Sequence, residues 1–337
     1  HGAQMSEIED RPDLKLKSLT TVKKPPNNVS SVIFFSPPPD RFVRGGKVDS
    51  FRFLPILTDY LHAHGISVHY CIAIEDLEKL VKTYKKTVVI CIYREIDRNP
   101  YCHRLNSILR NANLVFNNPR QGMLLADKQI ANKLLSKNGC PVPKTAEKSA
   151  KNSLIFSNEK KGSGAYTYVT RNTERLDINR YNTEFIDTSI TFEKETFYTT
   201  IRLMCLNNHI THSLVRCRPT SENQPSVHTY DTPIDPRLLN TIWNWVDKRI
   251  SERLQLIADK VYDTFGPGFY SHDLLINYKT QRVFLCETGY KFNDMTYQNR
   301  FSHVSKDLKY LEGHETAEAS AATISPLLLE IIRAHIR

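Results

Sequence analysis

Apolar positions along this chain switch between two regimes. From residue 31 to 118, short apolar runs alternate with helical stripes. SVIFFS (31–36), ISVHYCIA (66–73), TVVICIY (87–93) and LVFNN (114–118) read as strands. Phe53–His64, IEDLEKLVKTY (74–84) and Arg104–Asn111 have the spacing of helices that bury one face. This β-α-β-α-β-α-β order predicts a parallel sheet with helices on its faces. No GxGxxG follows the first strand, so a dinucleotide site is not expected.

After residue 118 the pattern changes. A helix is predicted from about Gly122 to Lys137, stopped at Asn138-Gly139, with Pro141 and Pro143 extending the chain beyond it. SLIFS (153–157) and YTYVT (166–170) form a hairpin around the loop NEKKGSGA, and TEFID (183–187) is a third strand. FYTTIRLMCLN (197–207) and HITHSLVRCRP (209–219) form an antiparallel pair. A Pro/Ser/Asn-rich loop (219–236) precedes a long helix, Leu238–Phe265, striped by Trp243, Val246, Ile250, Leu254, Ile257 and Val261. Gly266-Pro267-Gly268 ends that helix, and a last helix is expected over Ile324–Ile336.

Between these helices lies SHDLLINYKTQRVFLCETGYKFND (271–294), two apolar runs joined by a short polar turn. With Lys279-Thr280-Gln281 as the turn, Leu275 faces Leu285 and Asp273 faces Glu287 on one side of the sheet. A two-residue turn would separate the two acids, so a three-residue turn or a bulge is required. Opposed carboxylates repel unless something positive lies between them. Mg²⁺ takes one or two carboxylates and completes its octahedron with water and substrate phosphates.

Composition sets outer limits. The 337 residues suffice for two or three lobes with real cores. No apolar run approaches the roughly 20 residues that cross a bilayer, so no membrane association is expected. The start is polar: residues 1–30 are expected to form a mobile arm, with His1–Gln4 a tag remnant before Met5, and the protein is expected in the cytoplasm. Seven cysteines lack CxxC or Cys/His spacing and read as small core residues in a reducing compartment. The net charge of +10 is scattered, and no nucleic-acid-binding pattern accompanies it; an anionic substrate is enough to use it.

The order of these elements resembles the ATP-grasp superfamily, including its D-alanine ligase and glutathione synthetase-like members. The resemblance covers about residues 31–330. It rests on the ordered set: an α/β domain, N-x(9)-DK on a helix ending in G-x-P-x-P, a GSG loop, an EFI strand, an arginine-bearing strand pair, and Asp…Glu on a late hairpin. It implies an N-terminal Rossmann-like pre-ATP-grasp domain (31–118) followed by a two-lobe ATP-grasp fold, α/β and α+β. A central lobe (119–187) would carry the phosphate loop and a C-terminal lobe (188–337) the metal carboxylates.

The resemblance also implies roles. Lys128 reaches the nucleotide phosphates, and Gly162, Ser163 and Gly164 cover them with backbone N–H groups. A lysine common five residues before that loop is Ser157 here, so Lys160 or Lys161 is expected to supply the charge. Glu184, Phe185 and Ile186 meet the adenine, with Ile155, Phe185 and Leu285 sandwiching the ring. Asp187 or Glu193 holds the ribose. Arg202, and at least one of Arg216 and Arg218, faces the transferred phosphoryl group. Asp273 and Glu287 hold Mg²⁺. The family's E-x-N is Glu287-Thr288-Gly289, so Asn293, Asp294 or water replaces the missing ligand. His272 is expected to face the other side of the sheet. The implied activity is ATP-dependent joining of a carboxylate to an amine, on amino acid or peptide substrates, through an acyl phosphate. A homodimer is common among such proteins. The alternatives are an ATP-grasp-type kinase and a nucleotide-binding protein with little turnover.

Overall fold

A computed structural model of the chain describes residues 30–36, 53–93, 99–147, 150–162, 167–292 and 298–336. Residues 1–29 of the expected arm, the loop 37–50, part of the loop 94–103, and Ser163, Gly164, Asn293 and Asp294 lie outside the described residues, while Ser30 already belongs to the first strand.

The first regime folds into a four-stranded parallel sheet. Its strands are β1 (Ser30–Phe35), β2 (Ser67–Cys71), β3 (Lys86–Cys91) and β4 (Leu114–Phe116), in the order β2-β1-β3-β4. Continuous apolar runs suit a sheet covered on both faces. Ile33, Phe35, Val89 and Cys91 pack against α2 (Ile74–Thr83) and α3 (His103–Leu109). Val32, Phe34, Val88 and Ile90 join the main core with α1 (Leu54–Ala63) and the C-terminal helix α7 (Ala317–His335).

The helix expected over 122–137 is two helices, α4 (Pro119–Leu125) and α5 (Lys128–Lys137). Asp127 is the reason. Its backbone is extended, and its side chain accepts hydrogen bonds from Gln129 and Ile130 N–H, which caps a new helix. Lys128 thereby becomes the first residue of α5 and is only 3% exposed.

A three-stranded antiparallel sheet follows: β5 (Leu154–Asn158) between β6 (Tyr168–Arg171) and β7 (Tyr181–Glu184). The last sheet pairs β9 (Glu195–Leu206) with β10 (His209–Pro219) on one edge and β11 (Phe269–Asn277) on the other, and β11 with β12 (Arg282–Gly289). Not read from the sequence, β8 (Ser189–Phe192) also pairs with β9. The helix α6 (Pro236–Phe265) packs its stripe on this sheet. Asp235 caps it, Pro236 opens it, and Gly266 at φ +82° ends it.

Asn117 fastens the parallel sheet to the last one. It sits at φ +56°, its amide donates to Cys91 O, and its side-chain oxygen accepts from Phe269 N–H. All seven cysteines are free; five are buried, and Cys102 and Cys286 are half-buried. No helix among the described residues is long and apolar enough to cross a membrane.

His314 sets a pH limit on this core. Its ring stacks on His212 with centroids 4.5 Å apart, and its Nδ1 bonds Ser320 Oγ at 2.8 Å. Burial pushes its pKa down to about 4, against a smaller opposing effect of Glu315. Below pH 6.5 the unfolded chain takes up a proton that the folded chain refuses, so stability should fall as pH drops from 6.5 toward 4. At pH 5 the loss from this group is about 2 kcal/mol. Burial lowers the pKa of His272 to about 3 as well, so it adds a similar loss over the same range. Urea midpoints at pH 7 and pH 5 check the His314 share: His314→Phe should shrink the difference by about 2 kcal/mol without abolishing it, and an unchanged difference would show that His314 does not contribute.

Candidate functional site

Three strands bring the charges together. β11 runs between β9 and β12, so Asp273 has Arg202 as its neighbour on one side and Glu287 on the other. The expected opposition of the two acids is present, and it arises by the second of the two expected routes, a bulge rather than a three-residue turn. The hairpin closes at Asn277↔Arg282, leaving four loop residues rather than three. Leu275 therefore faces Phe284, not Leu285. A bulge then shifts the register between Leu274 and Asp273, which leaves Cys286 as the extra residue and sets Asp273 against Glu287.

The four-residue turn corrects the expectation for Leu285. It pairs with Leu274 on the opposite face from Asp273 and lies in the main core with Ile276 and Val283. The apolar residues on the face of Asp273 are Leu275 and Phe284. They pack with Phe156 and Ile186, and with half-buried Phe185, where two sheets meet. Phe156 and Phe185 rings are 5.0 Å apart. Strand alternation turns Ile155 and Ser157 to the other face of β5 from Phe156.

Asp273 is the electrostatic centre. Arg202 grips it in a fork, Nε to Oδ1 at 2.7 Å and Nη2 to Oδ2 at 3.1 Å, and Arg216 Nη2 donates to Oδ1 at 3.1 Å. Its side chain is 15% exposed and that of Arg216 is 6% exposed. Burial alone would raise the Asp273 carboxyl, but the two guanidiniums outweigh it and hold the group well below the usual carboxylate range. An ionised carboxylate offers about four acceptor positions. The guanidiniums occupy three on Asp273. Among the described residues, the ion-pair partner of Glu287 is Lys291, Nζ to Oε1 at 3.4 Å.

Lys128 reaches the glycine loop from the other side. Its Nζ donates to Glu159 O at 3.1 Å and Gly162 O at 2.9 Å. Its backbone N–H bonds Lys160 O, so Lys160 and Lys161 flank the same turn. Gly162 has φ +93°, where a side chain would be strained. At Ser157, Arg180 donates to both Ser157 Oγ and Ser157 O.

Other expected residues separate. The Glu184 and Phe185 N–H groups bond Lys144 O and Leu154 O, and the Glu184 carboxylate accepts from Lys144 N–H. Asp187 caps the turn into β8 through Ser189 N–H. Glu193 occupies an exposed two-residue hairpin tip with Lys194, both at positive φ, and pairs with Arg237. It lies nine residues from Arg202 along the chain, so it does not join Asp273. Arg218 turns from the cleft into the 219–236 loop, where it holds Glu222, Asp231 and Ser226 O.

Two participants were not read from the sequence, and a third was. Asn132, buried on α5, donates to both Tyr181 Oη and Cys286 O, tying β7 to the bulge. His228 is half-buried beside Arg216 and Arg218; burial first, then the Arg216 charge, lowers its pKa. His272, adjacent to Asp273, is fully buried and bonds Thr288 Oγ1 at 2.6 Å. Strand alternation placed His272 on the face away from Asp273, as expected; Asn132 and His228 had no such signal.

The sequence matches no protein-family model. It matches no curated protein. Solved structures do match. The ATP-grasp ligase PsnB, in complex with precursor peptide PsnA2 and AMPPNP, is 11% identical with a TM-score of 0.50, covering 94% of this chain and 100% of that one. The D-alanine–D-alanine ligase of Bacillus anthracis complexed with ATP is 9% identical at 0.49, over 91% and 99%. The N5-carboxyaminoimidazole ribonucleotide synthetase of Thermotoga maritima is 14% identical at 0.42, over 85% and 75%. At these identities the likeness is one of fold, and the first match carries it.

The two acids should differ in stability effect. Asp273→Ala strands two guanidiniums in a half-dry site and should cost on the order of 3 kcal/mol. Glu287→Gln should change stability by less than about 1 kcal/mol, because its partner is solvated. Chemical denaturation of both variants checks this; equal losses would contradict the assignment of Asp273 as the centre.

Proposed function

We propose that this chain, built on the ATP-grasp fold, is an ATP-dependent ligase that joins a carboxylate to an amine, with amino acids or peptides as substrates. The observation that carries the reading is Asp273 and Glu287 facing each other beside Arg202 and Arg216, on a fold whose matched relative is an ATP-grasp ligase bound to AMPPNP.

The residues fit Mg²⁺ in a particular way. Glu287 offers most of its acceptor positions, and Asp273 offers about one beyond those the guanidiniums take. One or two carboxylates plus nucleotide phosphates are what Mg²⁺ ordinarily uses. When bound, it neutralises charge on the transferring phosphoryl group. Glu287 is assigned as the main metal ligand and Asp273 as a shared one.

The remaining roles belong to the chain's own groups. Two of the three ammonium donors of Lys128 fix the glycine loop, and the third is available to a phosphate oxygen. Phe185, Ile186, Leu275 and Phe284 line the adenine slot, and Asp187 holds the ribose. Arg202 and Arg216 stabilise charge on the transferring group. A substrate carboxylate oxygen attacks the γ-phosphorus, and ADP leaves with the bonding pair. The amine nitrogen then attacks the acyl carbon, phosphate departs, and the nitrogen loses its proton. The carboxylate alone is a poor electrophile; the acyl phosphate has a good leaving group. The division into lobes at 118 and 187 belongs to this reading and is supported by the three separate sheets.

One observation favours a second reading. Three of about four acceptor positions on Asp273 are already filled by guanidinium. Such a site suits a nucleotide-binding protein with little turnover.

The test is ADP release against amino acids and dipeptides, singly and in pairs, with products identified by mass. A ligase releases ADP in step with a condensed product that needs both partners. A stable phosphorylated product without condensation would instead indicate a kinase. Bound ATP with no ADP across the panel would leave only the binding function. Arg216→Met should lower the ADP rate at least tenfold, the loss expected on removing a charge-stabilising donor.

A further inference from the structure

The chain folds back on the metal carboxylates just after β12. The strand ends at Gly289, the backbone bends at Tyr290, and Lys291 returns toward the acid it follows by four residues. Its Nζ lies 3.4 Å from Glu287 Oε1. The stem of the same side chain covers Gly289: a Cβ there would sit 3.7 Å from Lys291 Cγ and 3.9 Å from its Cδ and Cε. Position 289, which carries no side chain, thus leaves the space beside Glu287 to the lysine.

The residues on either side of Lys291 are anchored. Tyr290 packs edge-on against Tyr93 at 6.3 Å and tilted against Tyr270 at 5.2 Å. Phe292, 1% exposed, meets Phe269 at 5.4 Å and His212 at 5.7 Å. The backbone of Lys291 is therefore held from both sides. Its side chain is 40% exposed, so the ammonium can change partner while the backbone stays.

That ammonium acts on both acids. Burial pushes the Asp273 carboxyl up, and Arg202, Arg216 and then Lys291 oppose it and hold it low. Like charges set opposite one another across a strand pair are unfavourable, and here the chain's own cations answer them. Arg202, Arg216 and Lys291 bring three positive charges against the two negative charges of Asp273 and Glu287. Lys128 lines the same hollow as Glu287 and Lys291. A divalent ion arriving alone would add charge to a cluster already positive and would have to drive the ammonium from Glu287 Oε1. Nucleotide phosphates reverse that balance. We propose that Lys291 is a tethered cation that occupies the metal's place on Glu287, so that the two acids take Mg²⁺ together with a nucleotide and hardly at all without one. This rests on the reading of Asp273 and Glu287 as ligands of a nucleotide-bound metal.

The test reads metal binding rather than turnover. Mn²⁺ replaces Mg²⁺, because the paramagnetic resonance signal of the free ion is lost on binding, and the full chain is titrated without nucleotide. Lys291→Met should bind Mn²⁺ at least tenfold more tightly than the parent, and Lys291→Gln, a second variant, should do the same. Lys248→Met removes an equal charge from an exposed position of α6 and should differ from the parent less than twofold. Unchanged Mn²⁺ affinity in both Lys291 variants, or the same tightening in Lys248→Met, would overturn the tethered cation. Calorimetric titration of the parent with AMPPNP, with and without Mn²⁺, tests the underlying site separately, and Mn²⁺ should strengthen that binding at least tenfold. If it does while the Lys291 variants bind Mn²⁺ as the parent does, the site stands and the tethered cation falls. If Mn²⁺ leaves AMPPNP binding unchanged but Lys291→Met tightens Mn²⁺ binding, Lys291 guards the two acids and the nucleotide site falls. Neither effect removes both.

Discussion

One carboxylate held between two guanidiniums organises this molecule. Asp273 lies on the strand that has β9 on one side and β12 on the other, so its pairing with Arg202 and Arg216 gathers three strands around one point. The arrangement is strong because each member is partly desolvated, and each would be costly there alone. The carboxylate itself is over-neutralised: two guanidiniums meet it, while Glu287 stands opposite and pairs with Lys291. An anion is the natural complement, and a nucleotide tail with its cation supplies both signs.

The rest of the fold keeps that point in place. Asn117 ties the parallel sheet to β11, and Asn132 ties α5 to β7 and to the bulge at Cys286. Both are buried amides with defined partners, which fixes relative position more tightly than apolar contact does. Glycine serves the same end by allowing close approach. At Gly268, as at Gly122, a Cβ would collide with a tyrosine ring, here Tyr290 or Tyr270. The aromatic cluster Tyr93, Tyr270 and Tyr290 can therefore nest against backbone near the end of β12.

Much of this was legible in the sequence where periodicity governs. The parallel sheet followed from alternating apolar runs and helical stripes, and the opposition of Asp273 and Glu287 followed from strand parity. Parity failed where a local conformation interrupts it. Gln281 at φ +60° lengthens the hairpin turn, and the bulge at Cys286 resets the count; neither residue type announces such a backbone. Leu285 was misplaced for that reason alone. Arg216 and Arg218 share a strand face by alternation, yet Asp231 and Glu222 claim Arg218 from a loop whose path no pattern predicts. Asp127 was read as part of one long helix, although Asp ahead of a helical stripe is also a capping signal. The link between Ser157 and Arg180 joins residues 23 apart, beyond the reach of any local pattern.

A structure determined with a non-hydrolysable ATP analogue and Mn²⁺ in place of Mg²⁺ tests the central claim most directly, since anomalous scattering locates the metal without assumption. Mn²⁺ should lie on Glu287, within coordinating distance of one Asp273 oxygen, with the phosphates running toward Lys128 and Gly162. A metal bound away from both acids, or a nucleotide bound with its phosphates elsewhere, would contradict it.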